Sequence, residues 1–155
     1  MMKNKVLTDM QTTQMSVDTD SADNKLLKKV MDCITSHVTE NNYGVNELST
    51  DIGISRVHLN RKLKELLNIT PLNLIRAVRM KNAAKLLVDN GLISSEVAYK
   101  LGFSTQSYFS GLFKDYFGIT PKEFAEKYSK EENREAYKKL LNADIKSFAE
   151  KDINK

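Results

Sequence analysis

Cysteine, proline and glycine are all scarce in this chain: one, two and six of 155 residues. A lone Cys33 cannot close an internal disulfide, which excludes a disulfide-stapled scaffold and suits a reduced setting. Few prolines and glycines, with abundant Leu, Lys, Asn, Ala and Glu, favour helix over strand. No apolar run approaches the ~18 residues that a membrane span needs. The opening MMKNKVLTDMQ lacks the apolar core of a signal peptide. The expectation is a soluble, cytoplasmic chain. Phosphate-cradling glycine loops, Cys/His metal spacings and nucleophile motifs are also missing. The reading is therefore no enzyme, no catalytic residue, no cofactor and no metal.

What is present is a core's worth of apolar residues, 41% of the chain, and an uneven charge. The net charge is +4, and residues 45–124 carry all of it, with 11 Lys/Arg against 7 Asp/Glu. Two runs in that stretch contain no acid: Arg56, Arg61, Lys62 and Lys64, then Arg76, Arg79, Lys81 and Lys85. A charge run is often only a solvated helix face. Two of them beside repeated motifs suggest a basic surface for a polyanion.

Residues 1–23 are polar and aperiodic and read as a disordered tail or linker remnant. Asp23 is placed to cap a helix from about Asn24 to Glu40, with Leu26, Leu27, Val30, Ile34 and Val38 on one face. His37 falls on the surface of that helix, and Cys33 reads as a small packed residue. A short helix, VNELSTDI, is broken by Gly53, and Ser55 then caps a helix from Arg56 to about Leu67. Leu59, Leu63, Leu66 and Leu67 form its inward stripe. Short helix, glycine turn and longer basic helix make a helix-turn-helix. Thr70-Pro71 starts a longer helix that the Asn90-Gly91 pair stops, roughly 28 Å long at ~1.5 Å per residue.

The unit then recurs. SSEVAYKL is broken by Gly102, and a second basic helix runs from about Thr105 to Phe117, with Phe109, Leu112, Phe113, Tyr116 and Phe117 inward. Thr120-Pro121 opens the next helix, where Glu123 completes a capping box. Gly53 and Ser55 match Gly102 and Ser104 at an offset of 49; Lys64 and Ile69-Thr70-Pro71 match Lys114 and Ile119-Thr120-Pro121 at 50. This is an internal duplication. The architecture expected is all-α: two helix-turn-helix subdomains, homeodomain-like helical bundles at about 45–70 and 94–124, on a linker helix at about 71–90. Together with the first helix they form a domain over 24–128. Residues 129–155 read as a helical C-terminal extension, with Phe124, Tyr128, Tyr137, Leu140 and Leu141 able to pack it back on the body.

Successive major grooves on one face of duplex DNA lie ~34 Å apart. A linker helix of this length can hold two recognition helices in adjacent grooves. Opposite the leucine stripe of the first lie Val57, Asn60, Arg61 and Lys64. Arg61 suits guanine in bidentate fashion, Asn60 suits adenine, and Val57 suits a thymine methyl. The matching surface of the second is Gln106, Ser107, Ser110, Gly111 and Lys114, with Gly111 in the place of Arg61. A glycine offers no side chain to a base, so weaker readout is expected there. Phosphate contacts are assigned to Ser55, Arg56, His58, Lys62 and Lys64 in the first unit, and to Ser104, Thr105, Tyr108 and Lys114 in the second. Ser55 is also simply an N-cap. The competing reading is an all-helical protein-interaction module without specific DNA binding.

The residues that carry this reading also resemble a known family, the AraC/XylS group of bacterial transcription regulators. Its DNA-binding domain has two helix-turn-helix units on a long linker helix. The pattern is met by Ala98, Gly102-Phe103, Ser107-Tyr108-Phe109, Phe113-Lys114, Gly118 and Thr120-Pro121. LSTDIGISRVHLNRKLK resembles the family's first unit and IRAVRMKNAAKLL its linker, so the likeness covers about residues 25–128. It implies base-reading positions at Val57, Asn60 and Arg61 and at Gln106, Ser107 and Gly111. Members often carry a long polar or basic residue where this chain has Gly111. The resemblance further implies a promoter or operator as the double-stranded DNA partner, activation, and contact with RNA polymerase. It implies either a stand-alone member or the output domain of a hybrid two-component regulator. The stretch DNKLLKKVMDCITSHVTENNYGVNELS resembles the junction that follows a receiver domain in such proteins.

Overall fold

The computed structural model describes residues 21–143, and these are helices joined by short turns. In chain order they are α1 (Ser21–Ser36), α2 (Val45–Ile52), α3 (Arg56–Leu67), α4 (Pro71–Val88), α5 (Ser94–Lys100), α6 (Gln106–Phe117), α7 (Pro121–Tyr128), a 3-10 turn (Glu131–Asn133) and α8 (Arg134–Leu141). No strand occurs among the described residues. No described helix is long and apolar enough to cross a membrane, and no described cluster of His, Cys, Asp and Glu could hold a metal.

Helix starts follow local chemistry. The Ser55 hydroxyl accepts from His58 N–H at 3.0 Å, Thr70 from Asn73 N–H at 3.2 Å, and Thr105 from Tyr108 N–H at 3.0 Å. Each satisfies one of the backbone donors that a helix start leaves unpaired. Thr120 and Glu123 close the expected capping box, at 3.1 and 2.9 Å. The two helix-turn-helix units repeat their devices. Glu47 and Glu96 each accept from the backbone N–H just before the short helix, at Gly44 and Ile93. Gly53 and Gly102 are both left-handed, with φ of +90° and +78°.

The cores of the two units differ. Around α3 the interior is aliphatic: Leu48, Leu59, Leu63, Leu67 and Ile69 are buried. Around α6 it is aromatic, running from Phe109 to Phe113 and Phe124, with Phe117 and Tyr128 half-buried beside them. Helix α4 joins the two, packing on α3 on one side and on α5, α6 and α7 on the other. Its buried residues extend along its whole length, from Pro71 and Leu74 to Leu87. It is the spine of one body.

The structure revises several boundaries. Helix α1 begins at Ser21 and ends at Ser36, short of the expected Glu40. Asp23 lies in its first turn and does not cap it. After Ser36 the chain turns. His37 Nδ1 lies 2.8 Å from the Cys33 carbonyl, and its ring stacks on Tyr43 at 4.1 Å. His37 is thus half-buried, not a surface residue. Tyr43 in turn donates to Asp51 at 2.8 Å, fixing the turn on α2. Helix α4 stops at Val88, just before the Asn-Gly pair. Of the expected tail and extension, residues 1–20 and 144–155 lie outside the described residues.

Candidate nucleic-acid interface

Each unit presents one helix with a buried stripe and an outward face. On α3, Leu59, Leu63, Leu66 and Leu67 point inward. Ser55, Arg56, Val57, Asn60, Arg61 and Lys64 are exposed, while His58 is half-buried. Val57 is 78% exposed. An apolar side chain left that open contributes nothing to the core, so its place on the face is free to serve contact with something else. Among the described residues, no carboxylate lies within ion-pair distance of Arg56, Arg61 or Lys64. Their charge is available to a polyanion.

Lys62 is placed differently from its neighbours. Its ammonium lies 3.3 Å from both Asp23 of α1 and Glu65 of its own helix, and its side chain is only a quarter exposed. The contact with Asp23 chiefly holds it above the usual lysine pKa. Lys62 therefore ties α1 to α3.

On α6, Gln106, Ser107, Gly111 and Lys114 are exposed, as are Ser104 and Thr105 in the turn before it. Ser110 is half-buried, its hydroxyl 3.3 Å from that of Ser94. Tyr108 is half exposed and lies against Phe103, ring centroids 5.8 Å apart. Gly111 has ordinary helical backbone, and a Cβ built there would meet nothing within 4 Å. No packing demand requires this glycine.

Two residues of the linker's basic run are held by backbone carbonyls instead. Arg79 is buried, with 8% exposure. Its guanidinium donates to the carbonyls of Leu101, at 3.4 Å, and Glu40, and lies 5.6 Å from the Phe103 ring centroid. Burial pulls its pKa down from the usual arginine value. Lys81 donates to the Ala143 carbonyl at 3.3 Å. The expectation of a basic surface from the second run thus fails for Arg79, which is interior, while Lys85 of the same run is exposed. Helical spacing carries the signal that would have shown it. Arg79 stands four residues from both Ile75 and Ala83, which are buried on α4.

Residues 48–127, from α2 through α7, match the family of helix-turn-helix domains. The chain belongs to the AraC/XylS family of DNA-binding transcription regulators. This AraC-type domain is 33% identical over 119 residues to "Histidine kinase P4" of Formosa agariphila, covering 77% of this chain but 9% of that protein. It is 38% identical over 77 residues to the transcriptional activator AggR of Escherichia coli, half of this chain and 29% of that one. The chain thus spans a minor part of these relatives. Among solved structures it is similar to the C-terminal domain of AraT, a response regulator from Geobacillus stearothermophilus. That match has 28% identity and a TM-score of 0.61, covering 66% of this chain and 84% of that one.

Proposed function

We propose that this AraC-type domain reads two short DNA boxes in adjacent major grooves, α3 in one and α6 in the other, and that it does so as the output part of a cytoplasmic activator. The observation that carries the reading is the pairing of two outward faces on one spine. Val57, Asn60 and Arg61 stand on the first and Gln106, Ser107 and Gly111 on the second, each opposite an inward-facing apolar stripe. Helix α4, with 18 residues, is about 27 Å long at ~1.5 Å per residue, which is commensurate with the ~34 Å groove repeat.

Within that reading, Arg61 takes a guanine, Asn60 an adenine, and Val57 a thymine methyl. Ser55, Arg56, His58, Lys64, Ser104, Thr105, Tyr108 and Lys114 hold phosphates, which sets register without reading sequence. Lys62, turned toward Asp23, contributes to the field more than to a direct contact. Activation is supported by AggR's name, and a place behind a receiver domain by the likeness to a response regulator's C-terminal domain. RNA polymerase is the partner this role calls for.

The test is selection from random duplexes, with binding followed against salt. Two enriched boxes about one helical turn apart, with a steep salt slope, are expected, the box under Gly111 being the looser. Salt-sensitive binding without an enriched sequence would reduce the domain to a non-specific binder. No binding at low salt would overturn the reading.

A further inference from the structure

The two units are joined by more than a linker helix. Arg79 stands near the middle of α4 and reaches both ways. One side of its guanidinium donates to Glu40, in the turn after α1, and the other to Leu101, at the end of α5. The partners are 39 and 22 residues away in sequence. Both are backbone carbonyls, groups that cannot change rotamer to let the cation go. The planar fork of an arginine can satisfy two such acceptors at once, which a lysine ammonium on its flexible stem does less well. Phe103 covers the guanidinium, and the same ring touches Tyr108 and Phe109 at the start of α6. A chain of contacts therefore runs from the first unit's side of the molecule to the second recognition helix.

Gly102 shows how tightly this junction is closed. A Cβ built there would lie 2.8 Å from both the Asn41 nitrogen and the Thr39 carbonyl oxygen. These are backbone atoms of the α1–α2 turn, so nothing flexible can give way. Gly53 holds the same place in the first unit and the same left-handed backbone, yet a Cβ there would meet nothing within 4 Å. The duplicated turn is thus used twice for its conformation, but only once for a close approach between units.

We infer that Arg79 and Gly102 form a lock that sets the distance and angle between the two recognition helices, and so the spacing of DNA boxes the protein accepts. This rests on the two-groove reading proposed above. Arg79 acts through α6 and touches no base; it is a positioning residue. A rigid pair of readers binds a correctly spaced site with the second contact nearly prepaid, whereas a loosened pair tolerates other spacings and gains less at the right one.

The experiment measures affinity of the full chain for duplexes carrying both boxes at spacings changed by one or two base pairs, and for each box alone. Wild type is compared with Arg79→Met, Gly102→Ala and Gly53→Ala. Both lock variants should keep single-box affinity within about twofold, lose roughly tenfold at the preferred spacing, and show a flattened spacing profile. Gly53→Ala carries the same left-handed strain without the clash, and should keep the wild-type profile despite a lower melting temperature. Should Gly102→Ala fail to fold, Arg79→Met, which introduces no backbone strain, reads the lock by itself. An unchanged profile in Arg79→Met overturns the inference, as does equal flattening in Gly53→Ala, which would trace the effect to turn strain. A wild type that shows no preference for any spacing defeats the two-groove reading first, before any variant is compared.

Discussion

Gly111 stands in the middle of α6, exposed, with open space where a side chain would begin. A mid-helix glycine costs about 1 kcal/mol relative to alanine, and here no close contact offsets that cost. Gly111→Ala should therefore raise stability by roughly that amount, read as an increase in urea midpoint at constant slope. If the second box is read weakly because Gly111 offers nothing to a base, Gly111→Ala will leave its sequence preference unchanged. Arg61 is the opposite case, a long cation with no described carboxylate beside it. Arg61→Ala should leave the melting temperature unchanged and weaken binding to the preferred first box by about 1–3 kcal/mol, relaxing its choice of base. Equal loss on all sequences would reassign Arg61 to a phosphate. Both faces were readable in the sequence because a helix's outward residues are the complement of its buried stripe, and Leu59, Leu63 and Leu66 declare that stripe within eight residues. Arg79 and Lys62 were read wrongly or incompletely for the converse reason. Charge alone does not say whether a cation meets solvent, a carbonyl or a carboxylate from a distant turn.

Among the elements, α7 has the most complete start. Its Glu123 carboxylate accepts from Thr120 N–H, and this contact above all lowers the Glu123 pKa below its ordinary value of 4.5. A depressed carboxylate pKa means that the unfolded chain binds more protons than the folded one in acid. The stabilisation from this box is present above the unfolded-state pKa and is lost as pH falls through the folded one. Melting curves from pH 6 down to pH 3 should therefore show a shallower acid decline for Glu123→Gln than for wild type. Parallel declines would mean that the box does not outlast solvent competition at this exposed site. The starts of α3 and α6 use a single hydroxyl each, from Ser55 and Thr105. Their ends match too, with Asn68 and Gly118 both left-handed at the same place in the repeat. Asparagine tolerates that conformation better than other residues with a Cβ, so the duplication keeps the geometry while changing the residue.

At the scale of the molecule, two helix-turn-helix units with unlike cores share one spine, and α8 packs on the second of them. Tyr137 of α8 is buried, near Phe124 and Tyr128, while burial and the nearby Asp89 push its phenol pKa up. Truncation after Lys130 would remove it and uncover that aromatic cluster. The truncated chain should melt lower, and Tyr137→Ala alone should cost about 3–5 kcal/mol, as for large aromatic deletions in a core. An unchanged melting temperature would show that α8 is not part of the folded body.

The sequence by itself determined the all-helical class, the duplication, the three hydroxyl-capped helix starts at Ser55, Thr70 and Thr120, and the inward stripes of α3 and α6, while the cap at Thr105 emerged from the structure. All of these depend on residues within about one or two helical turns of one another, where spacing alone decides who meets whom. The tertiary structure decided where α1 ends, that His37 stacks on Tyr43, that Lys62 serves α1, and that Arg79 is interior. Arg79 and Gly102 gain their roles only when the turn after α1 is folded against the turn after α5. A guanidinium that would be solvated on an isolated helix is there held by two carbonyls from opposite sides of the chain.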